Sequence, residues 1–276
     1  MKKLTAVFSF VLIVIGANAQ YYYKDILSNR QLIKDMAVYK ENKVRVINIK
    51  SIEGDGLESE GFFAQKKFTK DYKKTDLFSR SAISAASMQT SYFNNEGLLL
   101  QTSDSSDQSV TKNFYSYNSK GSISNILSSI KSTDDDFTNE IIEEHIYSYN
   151  SESGLPEKMQ KVKNRKDTIT ILFASDDHGN ISIEKDTKTG TRYYYYYDAK
   201  NRLTDIVQEN DFKKSMRPDY VFEYNAAGLL TQMTASEEGI NNYYVWKYVY
   251  DNGLRVIEKC FSKERRLMGT IEYEYK

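Results

Sequence analysis

The stretch GTRYYYYYDAKNRLTDI, residues 190–206, runs five tyrosines into an Asp, places an Asn three residues later and returns through Arg202 and Leu203. Side chains of a strand alternate between its faces, so Tyr193, Tyr195 and Tyr197 share one face and Tyr194 and Tyr196 the other. Asp198 can open a type I turn by accepting from the backbone two residues on, and Asn201 tolerates the left-handed conformation that closes such a turn. The segment reads as one β-hairpin.

The same pattern recurs. SYFNNEGLL turns at Gly97, FYSYNSKGSI at Gly121, IYSYNSESGL at Gly154 and LFASDDHGNI at Gly179. After the Asn201 copy come FEYNAAGLL, turning at Gly228, and YVYDNGLRV, turning at Gly253; the chain closes on IEYEYK, half a copy. The consensus is aromatic, any, aromatic, Asp or Asn, two free residues, Gly, then a branched aliphatic that begins the return strand. Gly is required because the closing position of the turn has positive φ. The weakest copy carries Ser175 in the second aromatic position. Repetition at intervals of roughly 22 to 33 residues is the signature of an array, each unit leaning on its neighbours.

This periodicity resembles the YD repeat of the RHS family, Tyr-Asp, two residues, Gly-Arg-Leu. The nearest matches are Tyr197-Asp198 with Arg202-Leu203, Tyr224-Asn225 with Gly228-Leu229, and Tyr250-Asp251 with Gly253-Leu254. The resemblance covers residues 90–276. It implies a spiralling sheet of hairpins, which in large family members wraps into a shell around a toxin or other cargo. Seven copies are too few to enclose a cargo, and a short member without a toxin domain is expected.

The rest of the chain adds a front end. Residues 1–19 have two lysines, an apolar run from Leu4 to Ile15 and small residues ending at Ala19, the layout of a secretory signal peptide. Gln20 rather than Cys follows, so no lipid anchor is expected, and export to the periplasm or the exterior is expected. Residues 20–89 hold no clear copy and are expected to cap the repeats as part of one continuous domain. Leu32, Ile33, Met36 and Tyr39 have helical spacing within residues 28–42, with a Ser or Asn available as a cap. A strand starts at Lys43 with a phase slip near Val46, a second follows the turn residues of EGDGLESEG, and residues 69–88 read as an irregular or extended connection. The expected fold is all-β, an antiparallel meander of hairpins in a twisted or barrel-like sheet, with a short N-terminal helix.

Twenty-three tyrosines, thirteen phenylalanines and only two prolines agree with strands. Basic and acidic residues balance at 38 each, and no basic stripe exists for a phosphate backbone, so nucleic acid is not expected as a partner. Cys260 is the sole cysteine, which excludes an internal disulfide. Asp134, Asp135 and Asp136, and Asp176 and Asp177 beside His178, lack the alternating spacing of a calcium loop; no metal or cofactor is expected. Neither His145 nor His178 lies in a nucleophile-elbow, zinc-protease or Cys-His signature.

Binding is the activity that the composition favours. Tyr194, Tyr196 and Tyr243 lie off the face the repeat itself uses, where exposed aromatics can stack on sugar rings or anchor an envelope protein. Against this stands burial of those tyrosines by another layer, residues 20–89 being the available one. The expectation is a noncatalytic binding or scaffolding protein of the envelope or exterior, with a carbohydrate-active or other hydrolytic enzyme as the alternative. Lys247, Glu223, Glu272 and Glu274 interrupt the back face, which argues against insertion as an outer-membrane barrel. Glu272 and Glu274 also read as marking a solvated sheet edge. Oligomeric state is left open.

Overall fold

The computed structural model describes residues 21–276 apart from 135, 137–138, 211–216 and 238–240. The expected signal peptide lies outside the described residues. One helix, α1 (Lys24–Glu41), precedes eighteen strands. They are β1 (Val46–Glu53), β2 (Phe63–Phe68), β3 (Lys74–Arg80), β4 (Ser87–Phe93), β5 (Leu99–Ser105), β6 (Ser109–Tyr117), β7 (Ile123–Ser132), β8 (Glu140–Tyr149) and β9 (Pro156–Lys163). The second half comprises β10 (Asp167–Ser175), β11 (Ile181–Asp186), β12 (Arg192–Tyr197), β13 (Leu203–Glu209), β14 (Tyr220–Tyr224), β15 (Leu230–Ser236), β16 (Tyr243–Asp251), β17 (Leu254–Ser262) and β18 (Leu267–Tyr275).

Each strand pairs antiparallel with the next, and β18 pairs back onto β1 from Ile47↔Tyr275 to Glu53↔Gly269. The meander is thus a closed barrel, which removes the open edges that an isolated sheet would expose. Glu272 and Glu274 face outward as expected, but not at an edge: they stand opposite Lys50 and Asn48 of β1. Residues 69–88, expected to be an irregular or extended connection, supply β3 and the start of β4. Alternation is hard to read there because the inward face includes Thr75, Ser79, Ser87 and Ser91 as well as Leu77. The phase slip near Val46 arises because the strand begins at Val46, leaving buried Val44 in the connection from the helix.

The helix starts earlier than its apolar spacing predicts, and neither Ser28 nor Asn29 caps it. Its first turn is completed from across the chain: the backbone N–H groups of Tyr22 and Tyr23 both donate to the Glu184 carboxylate at 2.8 Å. A carboxylate there satisfies donors that have no partner within a helix and matches the positive end of its dipole. Asn29 instead donates to the Tyr117 hydroxyl at 2.9 Å.

Helix partners come from both arcs of the barrel. Tyr23 and Ile26 pack with Ile123, Tyr147, Ile171, Tyr193, Tyr195 and Ile206, whereas Met36 packs with Ile47, Ile49, Phe68, Phe93 and Ile271. These are the inward residues of their strands, so α1 lies in the lumen and the apolar core forms around it. Residues 20–89 therefore do two things, closing the ring through β1 and filling the inside with α1.

Candidate functional site

Four of the seven copies, opened by Asn94, Asn118, Asp176 and Asp198, build their turn with the same side-chain bonds. In the Asp198 copy the side-chain oxygen accepts from Lys200 N at 2.9 Å and Arg202 N at 3.0 Å, while its carbonyl accepts from Asn201 N at 2.9 Å. Asn94, Asn118 and Asp176 repeat the side-chain pattern, accepting from the N–H groups two and four residues on. The closing residues all have positive φ: 82° at Gly97, 74° at Gly121, 69° at Gly154, 81° at Gly179, 57° at Asn201, 82° at Gly228 and 78° at Gly253. A register shift lies just before the last tyrosine, as between Tyr196 and Tyr197, with the extra residue, Thr204, on the return strand, and Tyr197 keeps the inward face that it shares with Tyr193 and Tyr195. That tyrosine donates to a carbonyl of the preceding copy: Tyr117 to Leu99, Tyr149 to Ile123, Tyr197 to Ile181, Tyr224 to Leu203 and Tyr275 to Arg255, at 2.6 to 2.8 Å. The hydroxyl explains why the second aromatic is so often Tyr rather than Phe.

Two adjacent turns and the strand between them make a groove of about 540 Å³ on the outer face. Its walls are the Asp176–Asn180 turn and the Asp198–Asn201 turn, and its floor includes Tyr194 and Tyr196. Tyr194 stands opposite Ile183 and Val207, and Tyr196 opposite Asp205. Tyr196 is 46% exposed. The Tyr194 hydroxyl donates to Glu209 Oε2 at 2.7 Å, and this bond, with some desolvation, raises the phenol above its ordinary pKa. Asn180 Nδ2 bridges the two turns, donating to Asp176 Oδ2 and to Asn201 Oδ1 at 3.1 Å each.

Both groove carboxylates are held ionised. Arg202 bonds Asp198 through Nε at 2.7 Å, and with the backbone donors it pulls the carboxyl down to about 2. At Asp176 desolvation works the other way, but the N–H groups of Asn180 and His178 and the Asn180 amide outweigh it and lower the pKa. The groove is therefore a rigid surface of ring faces, amides and fixed anions.

Tyr243 does not join it. Both Tyr243 and Tyr194 face outward, but β16 lies four strands around the barrel from β12, about 19 Å along the wall at the usual spacing of roughly 4.8 Å per strand. His178 lines the groove, and Cys260 is buried with its thiol pushed up to about 12 by desolvation. Among the described residues no group of three or more His, Cys, Asp or Glu is placed to hold a metal ion.

A second polar cluster, which the sequence does not announce, lies inside. His145 is an inward residue of β8, with Nδ1 2.6 Å from Asp25 Oδ2 and Nε2 3.0 Å from Glu143 Oε1. Burial opposes its protonation, yet the two carboxylates win and raise the imidazole to about 9. Tyr147 donates to Asp25 at 2.9 Å, and Lys161 pairs with Glu143 at 2.9 Å. Close by, Glu184 is 1% exposed and accepts from Tyr195 Oη at 2.8 Å as well as from the helix start. Desolvation raises its pKa to about 7 despite those three donors. Such shifts often mark catalysis. Here Glu184 and His145 meet α1 and the residues just before it across the helix–wall contact, through Tyr22 N, Tyr23 N and Asp25.

No protein-family model matches the chain. No curated protein matches it either. Among solved structures it is similar to a porin-like protein from Bacteroides uniformis, at 12% identity over 84% of this chain and 96% of that one, with a TM-score of 0.40. It is also similar to the TcdB2-TccC3-Cdc42 structure, at 11% identity over 86% of this chain and 17% of that one, with a TM-score of 0.23. The Photorhabdus luminescens Tc holotoxin pore gives 10% identity, the same coverages and a TM-score of 0.22. At these TM-scores the comparisons carry no argument about function.

Proposed function

We propose that the chain is an exported, noncatalytic binding barrel of the cell envelope or its exterior, built as a short YD-like repeat, which holds a polysaccharide on the outer groove at Tyr194 and Tyr196. The observation that carries this is Tyr196, a large aromatic left 46% exposed inside a concave, amide-lined groove rather than on a bare wall. Ring faces stack on sugars, and the rigid Tyr side chain offers contact area at small entropic cost. Asn180 and Asn201 supply hydroxyl-matching groups beside it.

The hydrolytic alternative fits the groove less well. A glycosidase pair needs one carboxyl kept protonated near neutral pH, whereas Asp176 and Asp198 are both turn caps held ionised. Insertion in a bilayer is disfavoured by charges that face outward around the ring, among them Lys50, Lys67, Lys112, Lys185, Glu223 and Lys247. Each costs about 2–4 kcal/mol at the midplane for a cation.

The test is equilibrium binding of residues 20–276 to a panel of polysaccharides and envelope fractions, beside the Tyr194→Ala/Tyr196→Ala double variant. Saturable binding that the variant loses while keeping its melting temperature supports the proposal. Absence of binding, with a variant that melts much lower, refutes it and assigns the tyrosines to packing.

A further inference from the structure

A second groove, of about 540 Å³, lies on the outer face across β6, β7 and β8, away from the tyrosine groove on β11 and β12. Register explains its shape. Outward residues form three cross-strand rows: Phe114 opposite Leu127, then Lys112 opposite Ser129 opposite Ile142, then Val110 opposite Lys131 opposite Glu140. Ser129 is short and sits at the centre of longer side chains, so the surface dips there. The Ser129 hydroxyl donates to Glu140 Oε1, and that carboxylate, opposite Lys131, is the one acid among the described residues lining the groove.

Two chemistries converge on the dip. Phe114 and Leu127 are 41% and 37% exposed, an apolar floor left open to water. Lys112, Lys131 and Arg165 line the same groove, and among the described residues none of these three makes an ion pair. Arg165 is brought in by the β9–β10 turn, which docks on β8 through Asn164 N to Ile142 O at 2.7 Å and Ile142 N to Asn164 Oδ1 at 3.0 Å. It holds φ of 59°, in a region that residues other than Gly and Asn seldom occupy. The turn thus fixes a cation above the groove at some conformational cost. Asp134 and Asp136, in the next connection, bond locally and do not line the groove.

We infer that this groove binds a single-chain anionic amphiphile, a long-chain carboxylate whose acyl chain lies on Phe114, Leu127 and Ile142 and whose head group meets Lys112, Lys131 and Arg165. The volume is in the usual small-ligand range of roughly 300–1,000 Å³, and an apolar lining with a few convergent charges is the usual composition of such sites. A concave dip suits one chain; a flat bilayer surface would leave Ser129 uncovered. Chain burial supplies affinity, while unpaired cations supply the preference for an acid.

Calorimetric titration with decanoate below its micellar concentration tests this, with acetate and 1-decanol as the head without the chain and the chain without the charge. Saturable decanoate binding, one per chain, at least tenfold tighter than either control is expected. The Lys112→Gln/Arg165→Gln variant should weaken it at least tenfold, and Ser129→Phe, which fills the dip, should abolish it; circular dichroism and melting temperature check that each variant is folded. The inference is overturned by absence of decanoate binding, by equal binding of decanoate and 1-decanol, or by folded variants that bind like the parent. Binding confined to anionic phosphatidylglycerol vesicles, with none to free decanoate, overturns it too and makes the patch a membrane-surface contact.

Discussion

His145 ties the helix to the barrel wall by charge, and that tie has a calculable pH dependence. Its imidazole lies between Asp25 and Glu143 at 2.6 and 3.0 Å, with its side chain 10% exposed. The folded pKa of about 9 is above the ordinary 6.5. A raised imidazole pKa means that the folded state holds its proton more tightly, so the stabilisation is complete below pH 6.5 and disappears as pH rises through 9. At about 1.4 kcal/mol per unit, the difference amounts to about 3 kcal/mol. His145→Gln keeps a side chain able to hydrogen-bond but cannot carry the charge. Urea unfolding of both proteins at pH 6 and pH 10 measures the effect, the difference between them cancelling other titrations. The variant should be about 3 kcal/mol less stable at pH 6 and close to the parent at pH 10. Parallel losses across that range, with a constant gap, would refute the charged tie.

Glu184 titrates in the opposite sense for its type: desolvation lifts its folded pKa to about 7, so its contribution to stability falls as pH rises from 4.5 to 7. Glu184→Gln sets an amide against three donors and should cost about 1–3 kcal/mol at pH 7, with the gap to the parent widening toward pH 5 in unfolding experiments. Tyr197→Phe removes only the hydroxyl bonded to Ile181 and should cost about 1 kcal/mol by chemical denaturation. Gly228→Ala should destabilise by about 1–2 kcal/mol in the same assay although a Cβ there meets no atom within 4 Å, because φ is 82°.

The hairpin pattern is legible in the chain because its chemistry is local: an Asp or Asn, a positive-φ residue three positions on, and aromatics of period two. Tyr193 and Tyr195, read as the inward set, are 6% and 3% exposed. A barrel-like sheet is legible from the array, but the strands that close it are not, since Ile47↔Tyr275 joins residues far apart in sequence and neither strand is marked for the other. The helix start escapes the capping rules for the same reason: its cap, Glu184, is 162 residues from Tyr22. Nor does the sequence show that Asp25, Glu143 and His145 converge, because that depends on α1 entering the lumen. The outer grooves need the register of three strands, so Tyr243 looks equivalent to Tyr196 in sequence but lies elsewhere on the wall.

One tyrosine run is proposed to serve two faces, Tyr195 the core and Tyr196 a ligand, and the decisive experiment compares Tyr195→Ala with Tyr196→Ala side by side. Melting temperature and polysaccharide affinity are measured on both. Tyr195→Ala should lose about 3–5 kcal/mol, as for other buried aromatics, together with a donor to Glu184. Tyr196→Ala should stay within about 0.5 kcal/mol of the parent, as expected of a surface site, yet lose its affinity. Two variants equally destabilised, or a Tyr196→Ala protein that binds like the parent, would contradict this division of faces.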